Sequence, residues 1–180
     1  DLPTEMVGRM PDRNFMNELY GKWGWSKGAL LNISIGQGEI LVTPIQMANY
    51  TNLLATKGDT YPVYLVESLH SKILFPKYKI NNWKLIQDAM RKVISGSMGT
   101  GKKADPKIPG LIISGKTGTA ENPHGEAHAW FIAYGEKNNE MISIVVLIEN
   151  GGSGGTFATP IAREIFKYYF TERYAQLAEK

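Results

Sequence analysis

The sequence contains no cysteine, which excludes disulfides and thiolate metal sites. That absence by itself assigns no cellular compartment. A secretory leader pattern is also missing, as is any apolar run of about 18 residues, the length a membrane-spanning helix needs. The 180 residues are therefore expected to be a water-soluble portion, with any membrane anchor lying outside them. Neither sign of charge dominates: 20 Lys and Arg face 17 Asp and Glu, giving a net charge of +3. The two signs are interspersed without a long block of either, which argues against nucleic acid as a partner. Internal repeats and low-complexity segments are lacking too. What remains is a chain that is 43% hydrophobic and long enough to bury one substantial core.

Residues 1–28 sustain neither helical nor strand periodicity and are broken by Gly8, Pro11, Gly21, Gly24 and Gly28. They are read as irregular structure with one short helix near Arg13 to Tyr20. Ala29 to Ile35 is apolar and stops at the turn Gly36-Gln37-Gly38. Thr43-Pro44 then predicts a helix start, threonine as N-cap and proline at the first helical position, running to about Thr56 and stopping at Gly58. Tyr61 to Leu69 and Lys72 to Phe75 have the composition of a hairpin. Asn81 or Asn82 caps a second helix, in which Ile86, Ala89, Met90, Val93 and Ile94 form one apolar stripe ending at Gly96.

Ser97 to Gly110 reads as a loop. Strands are expected at Leu111 to Thr119, His128 to Tyr134 and Met141 to Glu149. The last two are joined by the polar segment Gly135 to Glu140, whose Asn138-Asn139 suits a hairpin turn. Asn150-Gly-Gly-Ser-Gly-Gly155 reads as a flexible joint too short to link domains. Thr159-Pro160 repeats the cap-and-proline device and opens a last helix to about Ala178, with Ala162, Ile165, Phe166, Tyr169 and Phe170 as its apolar stripe. The fold class that follows is α+β: an antiparallel β-sheet with helices packed on its faces.

The chemistry concentrates at Leu111 to Tyr134, where three apolar residues run into Ser114-Gly-Lys-Thr-Gly-Thr-Ala120. A cation, hydroxyls and two glycines at the end of a strand suit an anionic ligand. The segment Gly110-Leu-Ile-Ile-Ser-Gly-Lys-Thr117 also satisfies the phosphate-loop pattern. A phosphate loop needs a strand before its first glycine and a helix from its lysine. Here Pro106 and Pro109 precede, β-branched residues fill the loop, and Gly118, Pro123 and Gly125 follow. The nucleotide-binding alternative therefore predicts a helix after Lys116, and the strand reading predicts none. In the strand reading, alternation separates Lys116 and Gly118 from Thr117 and Thr119. Gly115 and Gly118 clear space for a ligand backbone, and an extended peptide adds along the edge with its carboxylate on Lys116 and the hydroxyls. His124 and His128 with Glu126 offer a weak metal reading; Pro123 and Gly125 make this a loop, so no metal and no cofactor is expected.

Lys-Thr-Gly is a triplet of penicillin-binding proteins and serine β-lactamases, and the match is wider than the triplet. Ser114-Gly-Lys-Thr-Gly-Thr-Ala120 followed by Ala129-Trp-Phe131 resembles the third active-site motif of penicillin-binding transpeptidases and its next strand. Ile35-Gly-Gln-Gly38 with Val42-Thr-Pro-Ile-Gln-Met-Ala48 resembles the upstream segment of class B members. Glu149-Asn-Gly-Gly152, Met10-Pro-Asp-Arg13, Trp23 and Trp25 are similar to the elongation-specific subgroup, penicillin-binding protein 2.

The resemblance implies a transpeptidase fold of the β-lactamase-like kind. It also implies a D,D-transpeptidase that cross-links peptidoglycan through a serine acyl-enzyme and binds β-lactams. The implied partners are the D-Ala-D-Ala stem peptide and cell-wall elongation proteins, at the periplasmic face of a bacterial inner membrane. Carried over by position, Lys116 and the Thr119 backbone N–H take catalytic roles. Ser114, Gly115, Thr117, Gly118, Thr119 and Ala120 bind substrate. The family's S-x-x-K and S-x-N motifs are absent: no serine here has lysine three residues on or asparagine two on. Residues 1–180 are thus expected to be the C-terminal part of a transpeptidase domain whose nucleophile lies in an N-terminal remainder. A non-catalytic peptidoglycan-binding module is the other alternative.

Overall fold

The computed structural model describes residues 5–59, 63 and 82–173. The expected hairpin at Tyr61 to Phe75 and the capping choice at Asn81 lie outside the described residues. The chain divides into two compact units, Leu2–Thr43 and Pro44–Lys180.

In the first unit, α1 spans Arg13–Tyr20 and is capped by Asp12, whose carboxylate accepts from the Phe15 N–H at 2.8 Å. A second helix, α2 (Lys27–Ser34), was not foreseen; Ser26 caps it through the Ala29 N–H. None of its residues is buried, which explains why no apolar stripe announced it. The unit is closed on itself by an antiparallel bridge between Arg9 and Leu41. Arg9 strengthens it with a guanidinium bond to the Glu39 carbonyl at 2.8 Å and a cation–π contact 4.9 Å from the Phe15 ring centroid.

The second unit holds the expected α+β arrangement. Helix α3 (Pro44–Ala55) starts at the predicted proline and is followed by Gly58, whose φ of +90° only glycine adopts without strain. Helix α4 (Trp83–Ser95) ends at Gly96 as predicted, but Asn82 makes no side-chain cap bond. Its stripe serves two clusters: Ile94 and Val93 join the main core, while Met90 and Ile86 pack with Leu54 and Tyr134. Ala89 lies exposed, outside both.

Strands β1 (Ile112–Ala120), β2 (His128–Lys137) and β3 (Glu140–Ile148) form an antiparallel sheet in the order β1-β2-β3. The β2–β3 connection is tighter than expected. Lys137 pairs with Glu140, and only Asn138 and Asn139 turn the chain, at φ of +51° and +66°. Positive φ at both central residues is the hairpin turn that matches strand twist, and asparagine tolerates it. We expect Asn139→Ala to cost about 1 kcal/mol in urea unfolding and Asn139→Gly to cost nothing.

Gly135 belongs to β2 rather than to the turn. A methyl there would fall 2.8 Å from the Phe166 ring, so its absence seats the last helix on the sheet. That helix, α5 (Thr159–Lys167), buries Ala162 and Phe166, with Phe170 following. It becomes π-helical at Tyr168–Arg173, and residues 174–178 of the predicted helix lie outside the described residues. Thr159 is not an N-cap: it is already helical, and its hydroxyl donates to the Gly155 carbonyl at 2.9 Å. A π-helical turn, Gly154–Ala158, precedes it where a flexible joint was expected.

Candidate active site

The carbonyl of Ile113 is held by Arg91 of α4 at 2.8 Å, from outside the sheet. Main-chain groups alternate along a strand, so Gly115, Thr117 and Thr119 present theirs on the same outer side. Among the described residues β1 has no strand beyond it. From Gly115 onward this edge can accept an extended peptide.

Side chains follow the same alternation. Lys116 is exposed, and its ammonium donates to the Thr117 carbonyl at 2.7 Å. The Thr117 hydroxyl lies 2.8 Å from that of Thr100, in the turn after α4. Thr119 is exposed farther along the strand, and Ala120 pairs with His128. Ammonium, hydroxyls and outward N–H groups thus come together over Lys116 to Thr119, a surface suited to a carboxylate and to a developing oxyanion.

One of the proposed ligand contacts, the Ser114 side chain, does not reach this surface. Ser114 is only 3% exposed; its hydroxyl shares a hydrogen bond with Tyr134, its cross-strand partner. Burial pushes the Tyr134 hydroxyl above its ordinary value, and the Ser114 bond acts in the opposite direction. Ser114 shares a face with Lys116, but the cluster containing Met90 and Tyr134 covers that face at Ser114. Gly115 is required by internal packing: a methyl would meet the Phe131 ring and the Ala133 Cβ at 2.9 Å. At Gly118 the neighbour is the Trp130 Cβ, 3.1 Å away. The missing side chains of these glycines therefore make room for β2.

The segment between β1 and β2 is fastened to the turn after β3. Asn122 donates to the Asn150 side chain at 2.6 Å, the Asn150 N–H donates to His128 Nδ1 at 2.9 Å, and the Gly152 N–H to the Ala127 carbonyl at 2.7 Å. His128 therefore orients a loop, while His124 is exposed. Among the described residues no three His, Cys, Asp or Glu side chains are grouped to hold a metal. An open depression of about 400 Å³ adjoins this latch, lined by Glu126, Ile148, Phe157 and the Asn150–Gly152 backbone region. Arg91 and Thr100 were invisible to motif reading, because each acts through a contact distant in sequence. Asn150 stood in a quoted motif, but its contacts with Asn122 and His128 could not be read from it.

The strand continues through Lys116 without a helix, and the phosphate-loop alternative fails on that geometry. A sheet with helices on it and a Lys-Thr-Gly edge strand is the setting in which penicillin-binding proteins and serine β-lactamases carry that triplet. The chain belongs to the penicillin-binding protein transpeptidase domain family, whose model matches residues 1–167. It is 28% identical to the peptidoglycan D,D-transpeptidase MrdA of Haemophilus influenzae, covering 98% of this chain and 31% of that protein. The structure resembles Helicobacter pylori penicillin-binding protein PBP2, solved in complex with MreC, with a TM-score of 0.78 and 25% identity. That likeness covers 95% of this chain and 32% of the PBP2 chain. Penicillin-binding protein A of M. tuberculosis, solved as an imipenem acyl-enzyme complex, superposes with a TM-score of 0.62 at 27% identity, over 81% of this chain and 35% of that one. The chain thus spans about a third of the length of such relatives. Among the described residues no helix is long and apolar enough to cross a membrane.

Proposed function

We propose that the protein containing this chain is a peptidoglycan D,D-transpeptidase, and that the chain supplies the edge strand that binds the donor peptide. The observation that carries this reading is the edge of β1, open among the described residues, with the Lys116 ammonium and the Thr117 hydroxyl on one short segment. A stem peptide ending in D-Ala-D-Ala lies antiparallel along that edge, its terminal carboxylate on Thr117, Thr119 and Lys116. A serine oxygen attacks the carbonyl carbon of the penultimate residue. The C–N bond breaks, and terminal D-alanine leaves with the proton the serine gave up. An amine of a neighbouring stem peptide then attacks the ester, the amide forms, and the serine regains its proton. The Thr119 N–H faces the developing oxyanion, a donor commonly worth about 3 kcal/mol.

The nucleophile comes from another segment of the protein, since no serine here stands three residues before a lysine. A β-lactam meets the same groups as the peptide; the imipenem acyl-enzyme of the M. tuberculosis relative supports this. The PBP2–MreC complex supports a partner of the MreC kind, and a place at the extracytoplasmic face of the membrane follows from the transpeptidase family alone. Labelling with a fluorescent penicillin, read by intact mass, tests the proposal. The natural protein is expected to gain one adduct and the 180-residue chain none. An adduct on a serine of the isolated chain overturns the placement of the nucleophile. No adduct on the natural protein overturns the transpeptidase reading in favour of a non-catalytic peptidoglycan-binding module.

A further inference from the structure

We infer that Thr100, from the turn after α4, is a carboxylate-binding residue of this site, acting with Thr117 as a hydroxyl pair. The inference rests on the reading of Lys116 to Thr119 given above. The two hydroxyl oxygens lie 2.8 Å apart. Two hydroxyls carry two protons, and one proton fills the bond between them. The other is left to donate elsewhere, and the carbonyl of Thr117 itself holds the Lys116 ammonium at 2.7 Å. A carboxylate brings acceptors and no proton, so a donor backed by a second hydroxyl, next to a cation, matches it.

The turn that presents Thr100 is fixed independently of that hydroxyl. The Gly101 N–H donates to the Val93 carbonyl at 2.9 Å, and the Lys102 ammonium donates to the Ser97 carbonyl. A methyl at Gly99 would fall 2.3 Å from the Val93 carbonyl oxygen, and one at Gly101 would fall 2.7 Å from the Ile94 side chain. On the other side, Gly155 lets the π-helical turn approach the Thr100 carbonyl, where a methyl would come within 2.8 Å. With its backbone clamped on both sides, Thr100 is exposed and its hydroxyl meets that of Thr117. The turn does not need that hydroxyl to hold its shape, and a ligand does.

The test compares acylation of the natural protein by a carboxylate-bearing β-lactam and by the methyl ester of the same compound. Thr100→Val keeps the shape and removes the hydroxyl. It is expected to slow acylation by the carboxylate about 10-fold, as for a hydrogen bond to a charged group, and acylation by the ester less than 2-fold. Thr100→Ser is expected to restore the rate, and the melting temperatures of the variants to stay close to that of the parent. Thr117→Val is the control for the site itself. If Thr117→Val discriminates between acid and ester while Thr100→Val does not, Thr100 has no binding role. A Thr100→Val loss equal for acid and ester makes the residue structural and also overturns the inference. If Thr117→Val leaves both rates unchanged, the reading of the whole site fails instead.

Discussion

Gly154→Ala is expected to destabilise the Pro44–Lys180 unit by at least about 3 kcal/mol, at the upper end of overpacking costs. The added methyl would lie 2.1 Å from the Trp130 carbonyl oxygen and 2.3 Å from that of Gly118. Both are backbone atoms of paired strands, since Gly118 faces Trp130 in the β1–β2 register. A flexible side chain could turn away from such a contact, but a strand pair cannot. Either the turn lifts off the sheet or β1 is pushed away from β2 beside Lys116. Lifting the turn drags Ala158 and α5 with it, and both sit in the main core. Gly110→Ala separates steric cost from backbone strain. Gly110 has a φ of +77° with nothing within 4 Å of the added carbon, so it should cost only about 1 kcal/mol. Urea unfolding of both variants decides the matter. Equal, small losses would mean that the π-helical turn moves freely and that the close approach at Gly154 holds nothing in place.

The same glycine marks the boundary of what composition reveals. Asn150 to Gly155 contains four glycines, and glycine-rich segments ordinarily signal freedom. Here Gly154 is buried, and its missing side chain serves contact with a strand pair distant in sequence. Gly135 repeats the point: it reads as turn material but makes room for Phe166 inside a strand. Features with a local cause were legible. Thr43-Pro44, Gly96 and the apolar period placed the helix starts and stops of α3 and α4 to within a residue or two. Asn138-Asn139 marked the hairpin because both residues must take positive φ. Leu111 to Ile113 announced a strand, which placed Lys116 on an edge. The resemblance carried Ser114 to the ligand by position, but where the helices stop covering its face of the strand is a tertiary matter. Ser114 lies against Tyr134 for that reason. Helix α2 left no trace for the opposite reason, since none of its residues is buried.

Lys116→Met is expected to reduce acylation of the natural protein by a carboxylate-bearing β-lactam by about 100-fold or more, with folding preserved. Methionine keeps the length and the apolar stem and removes the charge. Lys116 is exposed, and its ammonium touches a main-chain carbonyl of its own strand and, among the described residues, no carboxylate, so little stability depends on it. What its charge serves is the ligand side of the edge. Under the function proposed above, the ammonium would lower the energy of a bound carboxylate and of the oxyanion that forms as the serine attacks. The second effect appears in the acylation rate constant and not only in affinity. Lys103→Met, in the 3-10 turn Lys102–Ala104, removes a similar exposed charge away from the edge strand and should change neither. Stopped-flow acylation over a range of drug concentration separates the two effects. A defect confined to the concentration dependence would reduce Lys116 to a docking residue. An unchanged rate constant and affinity would remove the edge strand from the chemistry altogether.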